Sequence, residues 1–280
     1  AKVLIDKFIL NPQSEKDPFA WYARGYIYKE WYKTFDSQNK KSKARLDAVV
    51  FLKKALELDT SNGNPFPINP IFKYGGQMVT VPLDFDQKII KQTLKYLGST
   101  FYNDAGALLD ETNYPTAIEN YLQFKICMLL AEPNYDIKVR EIEFKNALAT
   151  VYAQIFQSDF KKHSRFYGMT EDLYKQVIAL DTNNWSGNYN LAMLYYNYGA
   201  DIINDMASNM ENIPLVSVDD IQDQAIEQFK KALPYALKSY VLNPKRKEVL
   251  QALEGIYMSL YENEKADECK AKIELLEKEK

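Results

Sequence analysis

The chain has 280 residues, 46% of them hydrophobic, enough apolar side chain for a large core and too much for a disordered polypeptide. With 35 Lys and Arg against 38 Asp and Glu the formal charge is −3, which argues against an electrostatic footprint for DNA or RNA, so nucleic acid is not an expected partner. No apolar run approaches the roughly 18 residues that would cross a bilayer, so no transmembrane segment is expected in this chain, and 21 Tyr against 10 Gly and one His suit packing and stacking more than acid-base chemistry.

The opening AKVLIDKFILNP reads as the second half of an amphipathic helix, which predicts a lone helix at 1–10 and a start trimmed from a longer chain, and leaves open an upstream targeting segment. Helix pairs are then predicted at 18–35 with 43–58, 86–110 with 115–132, 137–159 with 169–180, 185–207 with 219–242, and 246–261 with 264–279. The second helix of each of the first four pairs closes on a similar turn. Leu10-Asn11-Pro12 has counterparts in Leu58-Asp59-Thr60, Ala131-Glu132-Pro133, Leu180-Asp181-Thr182 and Leu242-Asn243-Pro244, which makes an internal repeat. The first helices share another spacing: Trp21, Gly25 and Tyr28; Leu97, Gly98 and Phe101; Leu148, Ala149 and Tyr152; Leu191, Ala192 and Tyr195; Leu253 and Tyr257. In each, the large residue sits about one turn beyond a small one or a leucine, on one helix face, and the small residue lets a neighbouring helix come close.

These residues resemble the tetratricopeptide repeat, whose 34-residue pattern runs Trp-x2-Leu-Gly-x2-Tyr, Ala-x3-Phe, Pro. WYARGYIY at 21–28 matches Trp, Gly and Tyr, with Arg24 in place of Leu; Ala48 with Leu52, Ala117 with Tyr121 and Ala232 with Ala236 fill the second-helix positions. The repeat at 170 departs, with Thr170 where Ala is expected and Tyr174 four residues on. The closing turns at Leu10, Leu58, Ala131, Leu180 and Leu242 are 48, 73, 49 and 62 residues apart, so the repeats carry insertions or lengthened helices. Residues 61–85 hold four prolines and two β-prone runs, IFKY and QMVTV, joined by Gly75-Gly76, which suits a small β-hairpin; 209–220 reads as a surface loop. The end, EKADECKAKIELLEKEK, has the thin apolar stripe of a terminal cap. The expected fold is therefore all-α, a right-handed α-solenoid of about five helix pairs forming one domain over 1–280.

In the tetratricopeptide family the first helices line a concave groove that holds a peptide of a partner protein. The resemblance places Tyr22, Tyr26 and Lys29 on that face in the first pair, and Lys95, Ser99, Tyr102 and Asn103 in the second. The third contributes Asn146 and Gln154, and the fourth Tyr189, Asn190, Met193, Tyr196 and Asn197. Lys95 and Asn190 would be an incomplete carboxylate clamp, and a groove lined by Tyr and Asn suits extended or Pro-rich peptides. The implied function is a non-catalytic interaction scaffold; the alternative is an envelope carbohydrate or small-ligand binder that uses exposed tyrosines. The decorated pattern also resembles repeat proteins exported by some bacteria, which implies a periplasmic or envelope location over a cytoplasmic one.

Catalytic and metal chemistry find little to work with, and no enzyme activity, cofactor or metal is expected. His163, in KKHSRFYG, is the sole histidine and reads as a loop residue. Cys127 and Cys269 sit in helical patterns and read as two buried thiols. Gly75-Gly76 lacks the Lys-Ser or Lys-Thr of a phosphate loop. Asp110-Glu111 and Asp219-Asp220 read as loop or helix-start carboxylates, and KKSKAR at 40–45 as a solvated basic loop.

Overall fold

The computed structural model describes residues 1–60, 66–68, 71–74, 77–80 and 83–278, and it divides into two compact units, Ala1–Ile137 and Lys138–Lys280. The first unit holds α1 (Lys2–Phe8), α2 (Pro18–Trp31), α3 (Lys43–Leu58), α4 (Gln87–Ala107) and α5 (Tyr114–Ala131). The second holds α6 (Lys138–Ser158), α7 (Arg165–Leu180), α8 (Trp185–Ser208), α9 (Val218–Leu242), α10 (Lys247–Ser259) and α11 (Asn263–Lys278). The fold is all-α, with the helices packed in adjacent pairs: α2 with α3, α4 with α5, α6 with α7, α8 with α9 and α10 with α11. Between α3 and α4 the backbone makes short strands β1 (Phe66–Ile68), β2 (Ile71–Tyr74), β3 (Gln77–Thr80) and β4 (Leu83–Phe85). Antiparallel pairing sets β2 against β3, Ile71 opposite Thr80, and β1 against β4, Phe66 opposite Phe85. The expected turn at Gly75-Gly76 lies outside the described residues.

Short polar side chains start several helices. The Asp17 carboxylate accepts from the Phe19 amide, with Pro18 at the first helical position of α2; Asp86 accepts from Lys88 at the start of α4, and Asn184 from Gly187 at the start of α8. Each satisfies an amide that the helix leaves without an internal acceptor. α2 continues as a π-helical turn, Tyr32–Asp36, which buries the Tyr32 ring.

The repeat residues form the core. In the first unit Tyr28, Leu97 and Phe101 face Ala48, Leu52, Ala117, Tyr121 and Phe124, all buried. A Cβ on Gly25 would lie 2.7 Å from Cγ of Leu52, so the bare glycine is what lets α2 and α3 close. Full burial of a side chain such as Leu52 or Leu97 is worth about 1.5–3 kcal/mol. In the second unit Leu148, Ala149, Tyr152, Leu191, Ala192, Tyr195, Ala232 and Ala236 do the same. Gly199 stands against Phe229, whose ring carbon would be 2.7 Å from an added Cβ. Thr170 occupies its alanine position fully buried because its hydroxyl donates to the Phe166 carbonyl of its own helix, 2.7 Å away. Both thiols are free and buried, and burial pushes Cys127 up to about 12.

The basic stretch at 40–45 is not the solvated loop that its composition suggests. Arg45 has 0% exposure. It stands three, four and seven residues before Ala48, Val49 and Leu52, on the buried face of α3, and its charge is met by Asp104 of α4 at 2.7 Å. Tyr32 Oη (3.1 Å) accepts from the same terminal nitrogen, the Lys40 carbonyl (3.1 Å) and Asn120 Oδ1 (2.8 Å) accept from the other, Nε has no partner among the described residues, and the guanidinium lies 4.0 Å from the Phe101 ring centroid. Lys40 Nζ reaches the second oxygen of Asp104 at 2.6 Å. A buried cation persists where acceptors surround it in this way.

Candidate functional site

Within each unit, packing goes beyond the pairs. The second helix of one pair touches the first helix of the next (α3 with α4, α7 with α8, α9 with α10), and first helices touch one another: α2 with α4 in one unit, α8 with both α6 and α10 in the other. The residues expected on a groove face therefore sit on neighbouring helices.

In the first unit, Tyr22 is half-buried between Phe19 and Tyr26, ring centroids 6.2 and 6.0 Å away, and burial with the nearby Tyr26 phenol pushes its own phenol up to about 12. Tyr26 is 41% exposed, with the Lys29 ammonium 4.0 Å from its ring centroid. Lys29 also pairs with Glu30 and lies 5.6 Å from the Tyr96 ring of α4. Tyr22, Tyr26, Lys29 and Tyr96 thus make one patch across α2 and α4. Lys95 does not stand ready for a terminal carboxylate, because Glu132 takes its ammonium at 2.8 Å. Ser99 donates back to the Lys95 carbonyl, and Asn103 is exposed. Tyr102 turns toward α5, its ring 4.9 Å from Phe124 and 6.5 Å from Tyr121, so it serves the α4–α5 contact.

In the second unit, Asn146 of α6 donates to Asn184 Oδ1 at 3.3 Å, which couples α6 to the cap of α8, while Gln154 is exposed. Tyr189 stacks on Trp185, centroids 5.0 Å apart and planes 10° from parallel; burial and the nearby Glu248 carboxylate raise its phenol pKa. The Arg246 guanidinium, just before α10, lies 4.1 Å from the centroid of the Trp185 ring. Asn190 hydrogen-bonds the Tyr174 hydroxyl. Met193 and Asn197 are half-buried. Tyr196 is committed to packing: its ring is 5.7 Å from Phe229, and its hydroxyl fills the space beside Gly255, where a Cβ would lie 2.7 Å from it. Asn146 Oδ1 and Trp185 Nε1 are buried with no hydrogen-bond partner among the described residues.

The face on α10, with Glu248 and Gln251, is missing from the sequence expectation, as is the pairing of Trp185 with Arg246. The spacing of Leu253 and Tyr257 fixes the inward side of α10 and could have located its opposite side. The other singled-out residues have structural surroundings. His163 meets the edge of Phe166, with centroids 6.3 Å apart. Asp110 accepts from Thr112 and Asn113, which close the loop before α5 and hold its carboxyl well below the usual range. Asp219 and Asp220 stand in the first turn of α9, where the helix dipole favours negative charge. Among the described residues no group of three or more His, Cys, Asp or Glu could hold a metal, and no helix is long and apolar enough to cross a membrane.

No protein-family model matches the chain, and no curated protein matches its sequence.

Proposed function

We propose that the chain is a tetratricopeptide-type repeat protein, a non-catalytic scaffold that holds an extended segment of a partner protein along the first helices of its pairs. The observation that carries this reading is the contact of α8 with both α6 and α10, together with that of α7 with α8 and α9 with α10. That connectivity is what stacked helix hairpins produce, and it sets three first helices side by side. Their outward residues support a peptide ligand: Gln154 and Thr150 on α6, Tyr189, Met193 and Asn197 on α8, and Gln251 on α10. Amides bond an extended backbone, and a tyrosine held by a neighbouring ring loses little freedom on contact.

Glycan binding has less support at Trp185, because a sugar platform needs an open ring face and that ring already carries Tyr189 and Arg246. The resemblance to exported repeat proteins favours a periplasmic or envelope location, which fractionation of the source cell tests.

A photocrosslinking amino acid placed at Gln154, Asn197 or Gln251, with controls at the exposed Leu237 and Val241 of α9, tests the groove in the source cell. The same protein captured at all three sites and not at the controls is the expected result. Equal capture at the controls, or none anywhere, overturns the reading.

A further inference from the structure

α8 and α9 run 24 and 25 residues, but α10 only 13. Tyr196 lies level with Gly255, four residues before α10 ends and twelve before α8 ends. At 1.5 Å per residue the tip of the α8–α9 hairpin overhangs α10 by about 12 Å. The apolar side chains of the overhang lack a covering helix, and they border a cavity of about 320 Å³ whose apolar wall includes Ile203, Met206, Ile226, Phe229, Met258 and Tyr261, with the polar Asn204, Gln222 and Ser259 also lining it. That volume is at the small end of ligand pockets and suits one bulky apolar side chain.

Two features mark the mouth. Met258 is 58% exposed and Tyr261 80% exposed. Tyr261 has φ of 60°, the left-handed conformation that ends many helices and that glycine accepts at no steric cost; here the Glu262 amide donates to the Tyr257 carbonyl at 2.9 Å to close the turn. The chain keeps a large aromatic at a position whose backbone suits glycine, and that aromatic walls the pocket.

The tip's own residues carry charge of one sign. From Gln176 to Phe229 the sequence has no Lys or Arg, whereas seven carboxylates fall between Asp201 and Glu227. Asp205 is paired with Lys161 and Glu227 with Lys230, both lysines lying outside this stretch.

We propose that this pocket takes a Leu- to Phe-sized side chain from a partner segment in which Lys and Arg flank that residue. The apolar wall of the cavity supplies the anchor, and the acidic tip draws in the basic flanks and disfavours acidic ones. The inference rests on the reading that the chain holds a partner segment, and it names the chemistry of that segment.

The full chain labelled with 13C at its methionine methyls tests it by NMR, because Met258 and Met206 line the pocket while Met193 reports the groove face. Three synthetic 12-residue peptides serve as probes: one rich in Lys and Arg with a single central Phe, one with Ala in place of that Phe, and one with Glu in place of every Lys and Arg. The Phe peptide is expected to move the Met258 and Met206 signals and to bind about tenfold or more tighter than the Ala peptide, with the Glu peptide silent. Tyr261→Gly is expected to erase most of that preference without lowering the melting temperature, since glycine relieves the left-handed turn. Equal binding of the Phe and Ala peptides overturns the proposal. So does binding of the Glu peptide, or a Met258 shift that depends on protein concentration alone, which would make a second copy the occupant. Movement of Met193 with Met258 and Met206 still also overturns it but leaves the groove reading standing. Movement of Met258 and Met206 without Met193 supports the pocket and counts against the groove.

Discussion

In residues 1–137 the junction of α3, α4 and α5 is centred on a buried cation with its acceptors in fixed directions, whereas in 138–280 the junction of α6 to α9 is filled by rings. Arg45 spans Asp104, Asn120 and Tyr32 at 2.7, 2.8 and 3.1 Å. In the second unit Tyr198 stands 4.7 Å from Tyr167 and 5.3 Å from Phe156, and Tyr195 lies 6.4 Å from Tyr167 and 6.0 Å from Tyr235. One backbone pattern of small residue and large residue therefore admits two interiors. The first specifies register through direction and charge, and it fails badly when one partner is removed. The second is set by shape, and it fails when volume is added.

The largest expected effect is on the ionic side. Asp104→Ala leaves Arg45 buried without its carboxylate, and unfolding by denaturant should show a loss of about 3–5 kcal/mol. Arg45→Met combined with Asp104→Leu should restore part of that loss, because it removes the unpaired buried charge although Asn120 and Tyr32 lose their donor. Hydrogen exchange should locate the effect of Asp104→Ala in α3 to α5; an equal rise in α8 and α9 would break the distinction between the two interiors. On the aromatic side, Gly199→Ala drives a methyl into the Phe229 ring and should cost about 1–3 kcal/mol in the same measurement.

Alkaline pH sharpens the comparison. Burial, and for Tyr28 the Asp6 carboxylate that accepts its hydroxyl, push Tyr22 and Tyr28 up to about 12, and burial together with Glu171 raises Tyr195 further. A phenol whose folded pKa lies above the ordinary value of about 10 stabilises the fold fully below that pH, and the contribution is lost as pH rises through the folded value. Unfolding followed from pH 9 to 12 should show stability falling, with Tyr195→Phe weakening the fall in 138–280. The smallest effect is expected at Gly106, where an added Cβ meets nothing within 4 Å. Gly106→Ala should be neutral or raise stability by up to about 1 kcal/mol.

The helix pairs were legible because a small residue one turn from a large one marks a closely packed face wherever it recurs, and α3, α6, α8 and α9 follow the expected bounds within about one residue. α7 starts four residues earlier than the spacing predicts, at Arg165, because Gly168 does not interrupt it: an added Cβ there meets nothing within 4 Å, and the glycine is simply a helical residue on an open side. Arg45 was misread because composition was weighed before position; its offset from Ala48, Val49 and Leu52 already put it on the buried face. The groove residues were legible as helix faces only. Whether an outward tyrosine is committed depends on its neighbour, and nothing near Tyr102 or Tyr196 in sequence names Phe124 or Gly255 as the group that takes it.

The absence of Lys and Arg between Lys175 and Lys230 has a consequence for how the protein can be cut. Trypsin has no cleavage site from the end of α7 to the middle of α9, so a digest releases that stretch as one long peptide whether the hairpin tip is open or shielded. A protease specific for Asp and Glu finds seven sites from Asp201 to Glu227. It is therefore the reagent whose cutting rate reports the tip, and a bound segment should slow it there first.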